Sequence, residues 1–290
     1  MERELKAANH VTTTLVSSHQ SLDEFMSASE GQHLLTFDVE GVRLSRTGEA
    51  TLAVFGVYNG LRVEVYIFDL LDETVDHFVR QMDVIKNILE DPTVIKIIHD
   101  CRQESDVLNE LFGIKLAGVF DTSVYGMIVS GSSSRDFLNT ALGSHGCEIN
   151  RLREKPNVFF VENPVHWGNR PLTDDQIACA SADVSSLFDL RKKLLSFCSM
   201  EMKAEMQILS ERALDEFRSL RFLEDVDVPA DRMGRVIGTG GCGIDKIRTT
   251  SGATVNNCSA GGFRIMAKDK AGILIAKKMI VGKTSLPKLR

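Results

Sequence analysis

The sequence predicts an α/β domain, a sheet flanked by helices, followed by a small α+β domain. Three observations carry this. Short apolar, β-branched runs alternate with stretches of helical period as far as Leu220. From Val226 to Arg290 the chain holds 12 Lys/Arg against 4 Asp/Glu, so a protein of net charge −6 is at −14 over the remainder. Charge and glycine content both change around Glu224-Asp225, which marks the junction. A chain of 290 residues accommodates one large and one small domain, with boundaries expected at 20–222 and 223–284.

The elements follow in order. His33–Val39 (HLLTFDV) is an apolar run suited to a buried strand. Thr51–Tyr58 and Val63–Phe68 read as strands joined by Asn59-Gly60, a hairpin turn pair. Thr74–Leu89 has helical spacing, with Val75, Phe78, Val79, Met82, Ile85 and Leu89 near one face, and Asp91-Pro92 stops it. Val94–Ile98 is β-branched and strand-like. A helix is expected over Arg102–Phe112, ended by Gly113, and Val119-Phe120 then leads into Asp121-Thr122 as strand end and helix cap. Leu142–Pro171, with its Gly, Pro and Asn, reads as irregular. Thr173 is a good N-cap, and Asp174 and Asp175 suit the positive end of a helix dipole. That helix is expected to reach about Ser199, with another over Met200–Leu220. In the basic region, helices at Ala230–Ile237 and Cys242–Thr250 flank Gly238-Thr239-Gly240-Gly241. Strands at Ala253–Asn257 and Phe263–Ala267 and a helix over Lys268–Ile280 complete it.

Composition excludes several classes. Hydrophobic residues at 43% and charged residues at 26% fit a globular chain, not a disordered one. No apolar run approaches the roughly 18–20 residues that cross a bilayer. Met1–Gln20 carries Glu2 and Glu4 without an apolar core, which argues against a secretory signal. The six cysteines show neither a C-x-x-C spacing nor a zinc pattern with His, as expected of reduced thiols in an intracellular protein of cytoplasm or nucleus. A basic tail on an acidic body suggests two tasks, the basic part attracting phosphate.

Asp38-Val39-Glu40 closes the first strand. Residues two apart on a strand share a face, so both carboxylates can converge on one point, a natural site for hard cations such as Mg²⁺ or Mn²⁺. A second polar cluster, Ile98–Asp106, directly follows the Val94–Ile98 strand. In a third, Gln176–Val184, Cys179 and Asp183 stand four apart on one helix face.

Together these segments resemble the DEDD exonuclease superfamily, in particular its ribonuclease D-like and Egalitarian-like branches. The likeness covers roughly Leu34–Leu190 through F-D-x-E-G, I-I-H-D-C-R, V-F-D-T at Val119–Thr122 and R-P-L-T-D-D-Q at Arg170–Gln176. It implies a ribonuclease H-like mixed sheet and 3′–5′ hydrolysis of phosphodiester bonds. It also implies two divalent ions, Mg²⁺ or Mn²⁺, held by Asp38, Glu40, Glu104 and Asp183. Glu104 stands where that family has Asp, with Asp106 and Asp100 as alternatives. Cys179 stands where the family has the Tyr or His that orients the attacking water, and is expected to be a small helix residue, not a nucleophile. His99 is expected to make a structural hydrogen bond. These departures admit a second function, an inactive nuclease fold serving as an RNA-binding adaptor.

The V-I-G-x-G-G-x-x-I-x-x-I pattern from Val236 to Ile247 and the βααββα order resemble a type I KH domain. That implies binding of single-stranded nucleic acid, RNA favoured over DNA. Gly238, Thr239, Gly240 and Gly241 would admit phosphates to backbone amides, and Arg235, Lys246 and Arg248 would supply charge. Thr239 stands where a Lys or Arg often occurs.

Overall fold

A computed structural model of the chain describes residues 11–72, 78–132, 134–154, 165–258 and 261–285. The chain divides into two compact units, the second taking over from Glu216.

The first unit is built on six strands: β1 Val11–Val16, β2 Leu34–Val42, β3 Glu49–Tyr58, β4 Val63–Asp69, β5 Ile95–Ile98 and β6 Val119–Asp121. They form one sheet in the order β1-β4-β3-β2-β5-β6. The meander β2–β3–β4 is antiparallel, whereas β1 joins β4, and β5 joins β2 and β6, in parallel. The sheet is therefore mixed, and the helices α1 His19–Ser29, α2 Phe78–Glu90, α3 Arg102–Phe112, α4 Thr122–Ser130, α5 Leu138–Ser144, α6 Asp174–Ser196 and α7 Met200–Glu216 accompany it.

The alternation of β2 decides what each face carries. Leu35, Phe37 and Val39 enter the main core, where the rings of Phe25, Phe37, Phe55 and Phe68 pack at centroid distances of 4.8–5.6 Å. Thr36, Asp38 and Glu40 therefore face the opposite side. Gly56 of β3 lies opposite Thr36 there, and a Cβ on it would fall 2.2 Å from Thr36 Oγ1 and 3.5 Å from the Phe188 ring of α6. Glycine at this position lets α6 lie close over the acidic face of β2.

Most expected elements are present within a few residues. The Asn59-Gly60 hairpin joins β3 to β4, and Gly113 ends α3 in the left-handed region at φ 65°. Thr173 caps α6 in a reciprocal pair with Gln176. The first residues of the expected Thr74–Leu89 helix, 74–77, lie outside the described residues, as do residues 155–164 of the expected irregular stretch. The second long helix ends at Glu216 instead of Leu220. The sequence pattern does not announce β1, α1 or α5. β1 (VTTTLV) is exposed except at Val16 and one partly buried residue, so it lacks an apolar alternation, and α1 is capped by Ser18 with Ser21 instead of an acidic or amide partner.

The second unit runs β7 Phe222–Val226, α8 Ala230–Ile237, α9 Cys242–Ser251, β8 Thr254–Asn257, β9 Phe263–Ala267 and α10 Lys270–Thr284, the expected βααββα order. Its antiparallel sheet, β7-β9-β8, packs Val255, Phe263 and Ile265 against Val236, Ile244, Ile247, Ala276 and Ile280. Asp269 starts α10 by accepting from the Gly272 amide, two residues later than expected. Among the described residues no helix is long and apolar enough to cross a membrane.

Candidate active site and strand-binding loop

On its α6-facing side β2 presents Asp38 and Glu40, and α6 brings Asp183 to them. One ligand oxygen from each of the three lies within 4.8 Å of the others. Glu40 and Asp183 are buried, at 6% and 1% exposure. Burial, reinforced by the neighbouring Asp183 charge, pushes the Asp38 carboxyl up to about 7, although Arg153 and the Val39 amide oppose it. Burial likewise raises Glu40 well above the usual carboxylate range against the pull of Arg153. This is an excess of acid packed into a small, largely buried volume, the condition that favours a cation.

Two residues that the sequence motifs do not mark, Asn150 and Arg153, complete the site. Asn139 and Asn150 exchange side-chain and backbone hydrogen bonds of 2.9 and 3.0 Å, which fixes the start of the 3₁₀ turn Arg151–Glu154. From there Asn150 Nδ2 donates to Asp183 Oδ1 and to the Cys179 carbonyl, both at 2.9 Å. Arg153 donates from Nε to Asp183 Oδ2 at 2.7 Å and from Nη2 to Glu40 Oε1 at 2.8 Å. The one signal for them in the sequence is the basic pair of Arg151 and Arg153 within an acidic body. Cys179 is fully buried, and burial with the Asp183 charge pushes its thiol up to about 12, so it stays protonated at neutral pH.

The structure separates the candidates for the fourth acid. Asp106 is buried and paired with Arg46 at 2.6 and 3.0 Å. Asp100 takes both prongs of Arg102 at 2.6 Å and Arg135 at 2.9 Å. Glu104 is not among the three acids within 4.8 Å of one another, yet burial and then the Asp38 charge raise its carboxyl well above the ordinary range. Its buried Oε2 has no hydrogen-bond partner among the described residues. His99 Nε2 donates to the Asp136 carbonyl at 2.9 Å, and Nδ1 lies 2.8 Å from the Thr122 hydroxyl, so both ring nitrogens are engaged in holding local structure.

In the second unit Gly238, Gly240 and Gly241 all adopt positive φ, at 74°, 59° and 81°. A Cβ at Gly238 would sit 2.8 Å from the Gly243 amide nitrogen, whereas one at Gly240 would meet nothing within 4 Å. The loop is thus tight at its base and open at its tip, where Thr239 and Gly240 are exposed. The N-cap of α9 is Gly241, which has no side chain to accept from the helix's leading amides. Lys246 is exposed and Arg235 half-buried. Arg248 differs: it donates to the Val255 carbonyl at 2.6 and 3.0 Å and to Asp245 at 3.0 Å, tying α9 to β8.

Comparison with known proteins follows this division. A 3′–5′ exonuclease family model matches residues 13–197, and a KH domain model matches residues 223–282. The human piRNA biogenesis protein EXD1 is 29% identical over 213 residues, which are 70% of this chain and 38% of that protein. Ribonuclease D of Gluconacetobacter diazotrophicus is 28% identical over 155 residues, 52% of this chain and 36% of that protein. The chain therefore spans well under two thirds of the length of these relatives. Among solved structures, Trypanosoma brucei RNase D in complex with RNA U12 matches with a TM-score of 0.58 at 21% identity, covering 71% of this chain and 70% of that one. Escherichia coli RNase D matches with a TM-score of 0.52 at 22% identity, covering 71% and 49%. These structural likenesses are likenesses of fold.

Proposed function

We propose, from the premise that this chain belongs to the 3′–5′ exonuclease family and ends in a KH domain, that it removes nucleotides from the 3′ end of single-stranded nucleic acid by a two-metal mechanism. RNA is favoured over DNA, in keeping with relatives named for ribonuclease D and piRNA biogenesis. The observation that carries the reading is the convergence of Asp38 and Glu40 from β2 with Asp183 from α6. The donors fit Mg²⁺ or Mn²⁺: all are hard carboxylate oxygens, and the orphaned Oε2 of Glu104 is a further one. Asp38, Glu40, Glu104 and Asp183 would hold the pair, whose chemistry is to furnish a nucleophilic water near neutral pH and to stabilise the leaving oxygen.

The chain's own groups do the rest. Asn150 orients Asp183 through Oδ1. The Gly238–Gly241 loop, Arg235 and Lys246 hold the strand's phosphates, and the two tasks divide near the expected 222/223 limit, with the nuclease part extended from the expected 20 to take in β1 at Val11–Val16. Such a protein would work inside the cell, in cytoplasm or nucleus. The test is a 5′-labelled single strand offered with Mg²⁺ or Mn²⁺, its 3′ end free or blocked. Stepwise shortening of the free-ended strand alone is expected, and intact strand under conditions where binding persists would refute the nuclease reading.

One observation favours a second reading, an inactive adaptor that binds RNA. The buried Cys179 thiol, pushed up to about 12, cannot take a proton from water at neutral pH. Strand binding without shortening is its signature.

A further inference from the structure

Arg153 occupies a telling place. It sits in a short 3₁₀ turn outside both β2 and α6, yet its guanidinium joins an acid from each. Nη2 lies 2.8 Å from Glu40 Oε1 and 2.5 Å from Asp183 Oδ2, and Nε adds a second hydrogen bond to the same Asp183 oxygen at 2.7 Å. The side chain is 25% exposed while the acids it joins are 7% and 1% exposed, so it closes over them from the solvent side. Its position is built: Asn150, three residues earlier, is pinned by Asn139 and holds the other Asp183 oxygen.

We infer that Arg153 is a tethered cation competing with divalent ions for Glu40 and Asp183, and so sets the metal affinity of the site. A carboxylate oxygen facing a guanidinium cannot also face Mg²⁺ at its required roughly 2.0–2.1 Å without bringing two positive centres together. An ion therefore takes Glu40 Oε1 and Asp183 Oδ2 only as Arg153 leaves them. The tether makes the competitor's effective concentration high and independent of the medium. Metal binding becomes an exchange of one cation for another, and part of the acids' charge stays offset when ions are scarce. This inference rests on the acids being the metal site.

The experiment titrates Mn²⁺ into the full chain, following free Mn²⁺ by its paramagnetic resonance signal, for wild type, Arg153→Met and Arg153→Lys. Thermal melts with EDTA and with Mn²⁺ run alongside. Arg153→Met should bind Mn²⁺ at least about tenfold more tightly than wild type, a difference of about 1.4 kcal/mol. Its melting temperature should fall in EDTA and recover with Mn²⁺, while that of wild type moves little. Arg153→Lys keeps the charge without the fork, so it should bind with intermediate affinity and serves if the Met variant does not fold. Equal Mn²⁺ affinity in all three chains, abolished by Asp38→Asn, would overturn the role of Arg153 and leave the metal site standing. Absence of Mn²⁺ binding in every chain would instead overturn the metal reading itself.

Discussion

The first unit contains two acidic clusters bridged by arginine, and they are built on opposite terms. At the ends of β5 and β6, Asp121 accepts from the Asp100, Cys101 and Ser123 amides and the Ser123 hydroxyl at 2.7–3.1 Å, and from Arg135 at 3.0 Å. Beside it burial pushes Asp100 up, and the Arg102 and Arg135 guanidiniums more than reverse this, leaving the carboxyl below its usual range. At the end of β2 one guanidinium serves Glu40 and Asp183, and burial leaves Asp38, Glu40 and Glu104 all raised. In the first cluster Asp100 is held as an ion, and the hydrogen bonds hold a turn together, including Asp100 itself at φ 62°. The second is short of positive charge. Acids gathered without enough cation are costly to the fold, so their presence points to chemistry.

The sharpest way to break this comparison is Asp38→Asn. Strand shortening should drop to background, as read on a denaturing gel. Stability should move the other way. The folded pKa of about 7 exceeds the roughly 3.9 of an unfolded Asp, so ionising Asp38 costs the fold nothing below about pH 4 and the full amount above about pH 7. In EDTA the variant should melt about 5 °C above wild type at pH 8 and level with it at pH 4, by calorimetry. At the other cluster Arg135→Ala takes a charged donor from the buried Asp121, which keeps its amide and hydroxyl donors, with an expected loss of about 1.5–3 kcal/mol in urea denaturation. A gain in stability there would erase the contrast.

Smaller effects sharpen it. Joint substitution of Thr239→Asp and Gly240→Asp should weaken single-stranded RNA binding by about tenfold through repulsion, read by fluorescence anisotropy. Melting should hardly change, because both sites are exposed and Asp tolerates the left-handed backbone at Gly240. Cys179→Ala is the mildest. With its thiol protonated and buried, the rate should stay within about threefold of wild type. The stability loss should be about 1 kcal/mol. A rate loss beyond about tenfold would give the sulfur a role.

Much of this architecture is legible in the amino-acid sequence alone. D-x-E on a strand, the Gly113 stop and the Thr173 cap are local signals, written within a few residues of where they act. The glycine loop is equally local, its apolar partners Ile244 and Ile247 standing at helical spacing. Arg153 and Asn150 are not legible, because their meaning lies in partners far along the chain and their segment has no period. Arg248 shows the converse limit. Its charge is visible in the sequence, but not the Val255 carbonyl that engages it. Glu104 separates from Asp100 and Asp106 only through the arginines that the fold brings to the other two.

The pairing of β1 with β4 carries a last consequence. Val11 aligns with Val63 and Val16 with Phe68, in parallel, across the whole β2–β3 excursion. During synthesis β1 emerges before any strand it can pair with, and its template exists only after the hairpin at Asn59-Gly60 has closed. Of the strands of this sheet β1 is made first, yet its long-range parallel closure onto β4 must await the meander. Until then the backbone edge of the apolar β4 stands open to any other extended chain, and the docking of β1 moves that edge onto a threonine-rich, exposed strand.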